Sequence, residues 1–421
     1  MDLSRSPRQS LASAAADAKS RQCQPIPVAQ ETATALDAPD LALYVHWPFC
    51  LSKCPYCDFN SHVIDRIDQE RWQAALIKDM KTQAERTGPR RLSSVFFGGG
   101  TPSTMDPAVV GAILDTATAL WTPASGFEVT LEANPGAADA KRFDGYRAAG
   151  VQRLSLGVQS LNNAALSFLG RRHSACEAMR ALDLARERFD RIAIDLIYAR
   201  PGQSQQDWLR ELGDVLKLGM DHVSLYQLTI EPGTRFFVEH ARGDFTLPEE
   251  DGALDLFLET RRCLTEAGMP AYETSNHARI GQECRHNMTY WRGGDYLGVG
   301  PGAHGRVRLA DGPHATVGHK APECWMRRVE EHGHGLKEDR LLDERERAIE
   351  AVMTGLRLSE GIDAFRFEAM TGVPLEDVLD RDCFSLLVDD GLAEGDPAFG
   401  VKVTEAGAPL LNTLSACLIA L

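Results

Sequence analysis

Short apolar runs alternate with longer amphipathic stretches from Leu41 onward, and this alternation restricts the chain to one class of fold. The predicted strands are Leu41–His46, Ser94–Phe97, Phe127–Ala133, Arg153–Gly157, Arg191–Ile197 and His222–Leu228. The predicted helices are Gln69–Glu85, Pro107–Leu120, Asp139–Ala149, Ser174–Arg188 and Gln205–Leu218. Strands that alternate with helices form right-handed βαβ units and a parallel sheet. Six such units predict an α/β fold, a partial (βα)6 barrel of the TIM type, with functional groups at the C-terminal ends of the strands.

Composition divides the rest of the chain into further segments. Residues 1–39 are rich in Ala, Ser, Gln and Arg and predict a disordered N-terminal tail, with an organelle transit peptide as the alternative. Residues 40–305 contain the barrel and its extension, and the polar residues 306–340 predict a connector. Residues 341–421 turn helical and then show a two-stranded wing, which predicts a mostly helical, winged-helix-like C-terminal domain.

The charge balance argues against two classes of partner. The 421 residues include 45 Lys+Arg and 60 Asp+Glu, so the formal net charge is −15. Within residues 341–421 there are 16 acidic and 6 basic side chains, so the winged-helix-like domain lacks the basic surface that DNA binding requires. No apolar run reaches the length of a membrane-spanning helix, and no secretory signal is visible. We therefore expect no nucleic-acid partner and no transmembrane segment.

Three of the ten cysteines lie within eight residues and predict a metal centre. Cys50, Cys54 and Cys57 form a C-x3-C-x2-C loop directly after the first predicted strand, at the functional edge of the barrel. Three thiolates on one loop can hold a [4Fe–4S] cluster and leave one iron open to another ligand. The alternative is structural zinc, which would need a fourth ligand from a nearby histidine or aspartate. The other cysteines are scattered, which indicates a reducing compartment, the cytoplasm, rather than a disulfide framework.

Glycines and isolated polar residues mark the ends of the following predicted strands. Gly99, Gly100 and Thr101 belong to a Gly-Gly-Gly-Thr-Pro run, whose backbone can approach a ligand closely. Polar residues set into the later apolar strands are costly to bury without partners, and they predict one polar ligand in the mouth of the barrel. Arg171 can pair with a carboxylate of that ligand. The polar strand residues are Glu132, Gln159 and Asp195.

The cysteine spacing and its position resemble the radical S-adenosylmethionine superfamily. This resemblance implies that the amino and carboxylate groups of S-adenosylmethionine chelate the open iron. The segments Tyr-Val-His-Trp-Pro-Phe-Cys, Leu-Ser-Leu-Gly-Val-Gln and Ile-Asp-Leu-Ile-Tyr further resemble the oxygen-independent coproporphyrinogen III oxidase family, from about residue 41 to a HemN-type C-terminal domain. The residues that match this family's cofactor contacts are Tyr44, Tyr56, Gly99, Gly100, Thr101, Glu132, Gln159, Arg171, Asp195, Thr229 and His304.

Two departures from the oxidase pattern resemble the HemW-like heme chaperones of the same family. The oxidase has a further cysteine two residues after the third, where this chain has Phe59. The segment His286-Asn-Met-Thr-Tyr-Trp291 matches an H-N-x-x-Y-W motif tied to heme binding, and imidazole is a common ligand of heme iron. The resemblance implies a chaperone that binds heme through His286, passes it to respiratory hemoproteins and forms a homodimer. The alternative is the oxidase itself, an enzyme that decarboxylates coproporphyrinogen III.

Overall fold

The structure is a computed structural model that describes residues 39–419. The predicted disordered tail, residues 1–39, therefore lies outside the described residues except for residue 39. The strands, in chain order, are β1 (Leu41–Trp47), β2 (Phe49–Cys50), β3 (His62–Val63), β4 (Arg91–Gly99), β5 (Thr122–Ala133), β6 (Arg153–Gln159), β7 (Arg191–Tyr198), β8 (His222–Gln227), β9 (Asn276–Ala278), β10 (Asp295–Val299), β11 (His304–Leu309), β12 (Gly312–Gly318), β13 (Leu336–Leu341), β14 (Ile362–Asp363), β15 (Ala393–Asp396) and β16 (Gly400–Val403).

The helices alternate with the first strands and then dominate the C-terminal domain. They are α1 (Gln69–Thr87), α2 (Pro107–Leu120), α3 (Ala140–Ala149), α4 (Asn163–Phe168), α5 (Ala175–Arg186), α6 (Gln205–Lys217), α7 (Arg235–Ala241), α8 (Glu250–Glu266), α9 (Arg285–Trp291), α10 (Pro322–His332), α11 (Glu344–Gly355), α12 (Ala364–Thr371), α13 (Arg381–Asp389) and α14 (Leu411–Leu418).

An 11-stranded sheet forms the body of the molecule, in the order β13-β12-β11-β10-β1-β4-β5-β6-β7-β8-β9. The six strands predicted from the sequence are neighbours within it, and each pairs in parallel with the next. β10 adds a seventh parallel strand beside β1. At the other edge of the sheet, β9 pairs with β8 in the antiparallel direction. The sheet remains open between β13 and β9. This arrangement confirms the predicted partial barrel.

The strands and helices of the barrel form where the local sequence favours them. β1 is buried along both faces, as parallel strands covered by helices are, and Leu41, Leu43 and Val45 have no exposed surface. Gly150 ends α3 in the left-handed conformation, directly after the predicted end of this helix at Ala149. Polar side chains accept hydrogen bonds from backbone N–H groups in the first turns of five barrel helices, which fixes where those helices begin. These N-cap residues are Asp68, Asp106, Asp139, Ser174 and Ser204.

Residues 306–340 are part of the sheet, contrary to the prediction of a connector. β11, β12 and β13 extend the sheet beyond β10 in antiparallel pairs. The helix between them, α10, packs on α1 through Trp325, whose ring stacks on Trp72 with centroids 5.5 Å apart. A few buried side chains, such as Val307 in β11 and Trp325 and Met326 in α10, hold this segment in place. Most of the residues between them are polar, so the apolar pattern along the chain is weak.

The C-terminal domain contains α11–α14 and a three-stranded sheet in the order β14-β16-β15. Its core is separate from that of the barrel and includes Val352, Phe367 and Leu414. A disulfide joins Cys383 of α13 to Cys417 of α14, so the expectation of reduced cysteines does not hold for this pair. The other cysteines within residues 39–419 are free. No helix in that range combines the length and apolar character needed to cross a membrane.

A buried ion cluster closes the N-terminal end of the barrel. The Glu128 carboxylate in β5 accepts hydrogen bonds at 3.1 Å from Arg153 in β6 and lies 2.9 Å from the guanidinium of Arg191 in β7. Its other oxygen accepts a hydrogen bond from the backbone N–H of Arg285, the first residue of α9, at 3.0 Å. Arg153 also donates to the carbonyl oxygen of Gln282 at 2.9 Å. These contacts hold α9 across the end of the barrel, where it forms a floor.

The first prediction concerns this ion cluster. Glu128→Gln leaves two arginines without a countercharge, and Arg153 is almost wholly buried. Because breaking a buried ion pair is strongly destabilising, we expect the free energy of unfolding to fall by about 3–5 kcal/mol. Urea unfolding followed by tryptophan fluorescence measures this change. The matched control is Glu323→Gln, whose partner Arg71 is exposed, and its effect should stay below about 1 kcal/mol. Equal effects of the two substitutions would contradict the role of Glu128.

Candidate functional site

A cavity of about 1410 Å³ runs through the open barrel, from the cysteine loop at the C-terminal ends of the strands to α9 at the floor. The C-terminal domain contributes part of its wall, including Arg357, Pro409 and Leu411. Sites for one small molecule usually enclose about 300–1,000 Å³, so this cavity is large enough for more than one ligand.

The cavity brings together all but one of the site residues predicted from the sequence. His304 is the exception: it is exposed at the start of β11, on the far side of β10, and does not line the cavity. Its position in the sequence, just after a Gly-rich turn, gave no sign that the chain reverses there. The residues that line the cavity are Tyr44, Cys50, Cys54, Tyr56, Cys57, Gly99, Gly100, Thr101, Glu132, Gln159, Arg171, Asp195, Thr229 and His286.

The three cysteines of the loop lie on one wall and are free thiols. The Thr101 hydroxyl donates to the sulfur of Cys50 at 3.3 Å, and the Arg171 guanidinium donates to that of Cys54 at 3.5 Å. Burial raises the pKa of the Cys50 and Cys57 thiols. Among residues 39–419, no three His, Cys, Asp or Glu side chains converge on the position of a single metal ion. A cubane cluster is wider than one ion, so its thiolates stand farther apart.

Asn60, which sequence reasoning missed, anchors the far end of the cysteine loop. Its amide donates to the carbonyl oxygens of Pro301 and Lys320, both at 2.9 Å. The backbone carbonyl oxygen of Asn60 accepts from Nε2 of His46 at 2.9 Å, so Nδ1 of that ring accepts from the Tyr44 hydroxyl at 3.0 Å. Burial lowers the pKa of His46 to about 4, which keeps the ring neutral. The loop is thus tied to β1 and to the segment predicted as a connector.

The glycine run is required by packing as well as by access to a ligand. Gly99 has φ of +112°, and a Cβ atom there would lie 2.5 Å from the His46 ring. A Cβ on Gly100 would lie 2.8 Å from the carbonyl oxygen of Phe49. The backbone N–H of Gly99 donates to the Glu132 carboxylate at 3.2 Å. A larger residue at Gly99 would therefore disturb the cysteine loop, so such a substitution does not test ligand access alone.

Two carboxylates with raised pKa values face the cavity. Burial, and then the nearby charge of Asp195, raise the pKa of Glu132 to about 8. Burial raises the pKa of Asp195 to about 6, although hydrogen bonds from Ser224 and Ser155 oppose this shift. Neither carboxylate forms an ion pair within residues 39–419. Such a pair suits a cationic ligand, because a positive charge would favour both ionised forms.

Gln159 ends β6 with φ of +67°, a left-handed conformation that is strained for a residue with a side chain. Strained residues of this kind cluster at ligand sites, where the surrounding structure holds them. Arg171 donates to the carbonyl oxygen of Gly157 at 2.9 Å, two residues before Gln159. The Nε atom of Arg171 is buried without a hydrogen-bond partner. This free donor beside the cysteines suits a carboxylate or an anionic cluster.

Comparison with known proteins identifies the family. Residues 44–215 match the Radical SAM superfamily, and residues 342–410 match the HemN C-terminal domain. The chain is 37% identical to the heme chaperone HemW of Escherichia coli over 382 residues, which cover 89% of this chain and 97% of that protein. It is 44% identical to the mitochondrial radical S-adenosyl methionine domain-containing protein 1 of Bos taurus, over 76% of this chain and 74% of that protein. The chain belongs to the HemW-like family of radical SAM proteins.

A solved structure supports the same assignment. Coproporphyrinogen III oxidase (HemN) of Escherichia coli, a radical SAM enzyme, matches with a TM-score of 0.75 and 25% identity, over 90% of each chain. Membership in the radical SAM superfamily implies a [4Fe–4S] cluster and S-adenosylmethionine. The cavity of this HemW-like protein suits both groups: it has three free thiols on one loop, an unpaired arginine donor beside them and two carboxylates without a cation.

His286, the histidine of the H-N-x-x-Y-W motif, has no ring nitrogen free to bind a metal. Its Nδ1 atom lies 2.9 Å from the Ser94 hydroxyl, and its Nε2 atom lies 2.6 Å from the Tyr290 hydroxyl. The ring stacks on Phe96 with centroids 5.0 Å apart, and burial lowers its pKa to about 3. With both nitrogens hydrogen-bonded, the imidazole has no lone pair available for iron. The expectation that His286 ligates heme therefore conflicts with this geometry, which makes the residue part of the floor.

The second prediction uses the raised pKa of Glu132. Near pH 7 its carboxyl group is mostly protonated, and a bound cation favours the ionised form, so binding of S-adenosylmethionine should release a proton. Affinity should therefore rise as the pH increases from 6 to 8. Anaerobic calorimetry in buffers of different ionisation enthalpy measures the released protons.

Glu132→Gln should flatten this pH dependence, whereas Glu70→Gln, on the exposed face of α1, should preserve it. A wild-type affinity that does not change with pH would show that Glu132 does not contact the cationic part of the ligand.

Proposed function

We propose that this protein is a heme chaperone, which binds heme, a [4Fe–4S] cluster and S-adenosylmethionine, and delivers heme to hemoproteins such as respiratory enzymes. The observation that carries the proposal is Phe59. Its side chain is 58% exposed at the mouth of the cavity, at the position where the oxidase has its additional cysteine. An apolar, exposed side chain cannot supply the thiol chemistry of that cysteine. The relative from Escherichia coli named as a heme chaperone matches along nearly its whole length.

In this proposal the mouth of the cavity holds the cluster and its nucleoside ligand. Cys50, Cys54 and Cys57 bind the cluster, whose open iron supplies a coordination position for the amino and carboxylate groups of S-adenosylmethionine. Glu132 and Asp195 attract the positive charge of this ligand. Its other proposed contacts line the same cavity. They are Tyr44, Tyr56, Gly99, Gly100, Thr101, Gln159, Arg171 and Thr229.

Heme occupies the remaining part of the cavity in this proposal. Apolar side chains of α8, Leu254 and Phe257, line that part together with Leu411 of α14, and they suit the faces of a porphyrin. The recipient hemoproteins and a homodimeric state belong to the same proposal and rest on the family resemblance alone. A cytoplasmic location belongs to it as well and rests on the scattered cysteines of the sequence.

An oxygen-independent coproporphyrinogen III oxidase is the second candidate. The overall match to that enzyme supports it, because the fold is shared over 90% of each chain. The same polar mouth would serve either protein. The two functions differ in their ligand, iron porphyrin or iron-free porphyrinogen, and in whether decarboxylation follows binding.

The third prediction separates these functions on one sample. After anaerobic reconstitution, the wild-type protein should carry about four irons per chain in one [4Fe–4S] cluster. It should bind heme in a Soret titration and should not convert coproporphyrinogen III. Turnover fast enough to support heme synthesis would refute the chaperone, and stoichiometric zinc without iron would refute the cluster.

Cysteine variants provide the internal control for the cluster. Cys50→Ala should abolish iron binding, because only two thiolates remain on the loop. Cys176→Ala, at an exposed free cysteine of α5, should retain all the iron. Cys383 is unsuitable as a control because it forms the disulfide.

The fourth prediction concerns the floor. Since both nitrogens of His286 are already hydrogen-bonded, His286→Ala should leave the position of the Soret band of bound heme unchanged. It should lower the melting temperature of the protein, because it removes two buried hydrogen bonds and creates a cavity. A clear Soret shift, with the cluster content unchanged, would show that His286 leaves Tyr290 and ligates the iron.

A further inference from the structure

Arg357 is a cation that the C-terminal domain places in the wall of the cavity, two residues after the end of α11. No other lysine or arginine of that domain is among the described residues that line the cavity. Its guanidinium packs over the ring of Trp291, 4.6 Å from the ring centroid. Trp291 is the last residue of the H-N-x-x-Y-W motif, whose histidine and tyrosine form the floor. The motif therefore supports a cation from the other domain.

The guanidinium of Arg357 lacks the partners that neighbouring arginines have. Arg261, Arg292 and Arg306 each form bidentate pairs with glutamates of the C-terminal domain, at distances of 2.7–2.8 Å. Within residues 39–419, the Arg357 side chain makes no hydrogen bond, and its Nε atom is buried without a partner. The charge nearest to it is the buried carboxylate of Glu273 at 3.8 Å, beyond hydrogen-bond distance.

Within the described part of the chain, only one oxygen of the Glu273 carboxylate is hydrogen-bonded: it accepts from the backbone N–H of Ser275 at 3.0 Å and from the amide of Asn276. Its other oxygen, which faces Arg357, is buried without a hydrogen-bond partner among those residues. The carboxylate thus balances part of the charge of Arg357 from a fixed position and leaves the N–H donors of the guanidinium free. The Arg357 side chain is 28% exposed, it stacks on an aromatic ring, and its N–H donors are free. It is therefore pre-organised to bind a carboxylate.

Arg357 also lies where the main cavity meets a smaller pocket of about 280 Å³. The two share Arg357, Thr274, Ala408 and Leu411, so a ligand group at Arg357 lies at the border between the barrel and the C-terminal domain. The apolar side chains of α8 and α14 that are proposed to contact heme line the same main cavity. A ligand that matches this combination has a broad apolar body and a carboxylate at its edge.

We propose that Arg357, supported by Trp291, binds a propionate carboxylate of the heme that occupies the cavity. The inference rests on the proposed heme-binding function. It assigns S-adenosylmethionine to the cysteine end of the cavity, where Arg171 lies, and it gives the C-terminal domain direct contact with the heme.

Heme and its dimethyl ester, in which both propionates are neutral, test this proposal in spectroscopic titrations of the reconstituted protein. The wild type should bind heme about 10- to 100-fold more tightly than the diester, as expected for a hydrogen-bonded charge pair. Arg357→Gln should weaken heme binding by the same factor and bind both compounds equally. Arg357→Lys should retain part of the preference, because it keeps the charge without the bidentate geometry. Arg381→Gln is the control: this exposed arginine of the same domain pairs with Glu376 outside the cavity.

Binding of S-adenosylmethionine by the Arg357 variants should be unchanged, which verifies the fold and excludes this ligand as the source of the carboxylate. A wild type that does not distinguish heme from the diester would overturn the inference without any variant. So would an Arg357→Gln protein that keeps the wild-type preference. A wild type that binds neither compound would overturn the proposed function and this inference with it, whereas the two outcomes above leave the chaperone intact.

Discussion

The carboxylate of Glu128 accepts hydrogen bonds from Arg153 and from the first backbone N–H of α9 and forms an ion pair with Arg191, and the floor of the cavity depends on this buried cluster. The interior of a complete TIM barrel is filled by its own side chains. Here the sheet is open, and a short helix that is hydrogen-bonded to the ion cluster closes one end. The space above that helix is left for ligands. Because removing one partner of a buried ion pair leaves an uncompensated charge, the floor has little tolerance for change.

At the opposite end of the cavity, hydrogen bonds hold the irregular backbone of the cysteine loop in place. Cys50 ends the short strand β2, and Cys54 and Cys57 follow on irregular backbone. Asn60 ties this loop to His46 of β1 and to the backbone at Pro301 and Lys320. Glycines allow the backbone to come close without clashes, and the two buried carboxylates, Glu132 and Asp195, form no ion pair within residues 39–419. This arrangement suits a zwitterionic ligand, and burying two carboxylates without an ion pair costs the protein stability.

The roles of the H-N-x-x-Y-W motif follow from packing rather than from exposed chemistry. Its histidine and tyrosine share a hydrogen bond in the floor, and its tryptophan supports Arg357. A motif tied to heme binding can therefore act without supplying an iron ligand. In the proposed function, Phe59 at the mouth marks the departure from the oxidase, and Arg357 at the domain border holds a carboxylate at the edge of the porphyrin.

The sequence alone determined the six parallel strands, the cysteine centre and the polar strand ends, because each rests on local periodicity or spacing along the chain. It also placed Glu132, Gln159 and Asp195 at one edge, since parallel strands end together. Only the tertiary structure decided the rest. Residues 306–340 join the sheet through a few buried side chains in a polar sequence, His304 turns outward on a reversed strand, and His286 meets Ser94 across 192 residues. The Cys383–Cys417 pair and the contact of Trp291 with Arg357 likewise join distant segments. These contacts depend on which segments the fold brings together, and no local pattern in the chain records that.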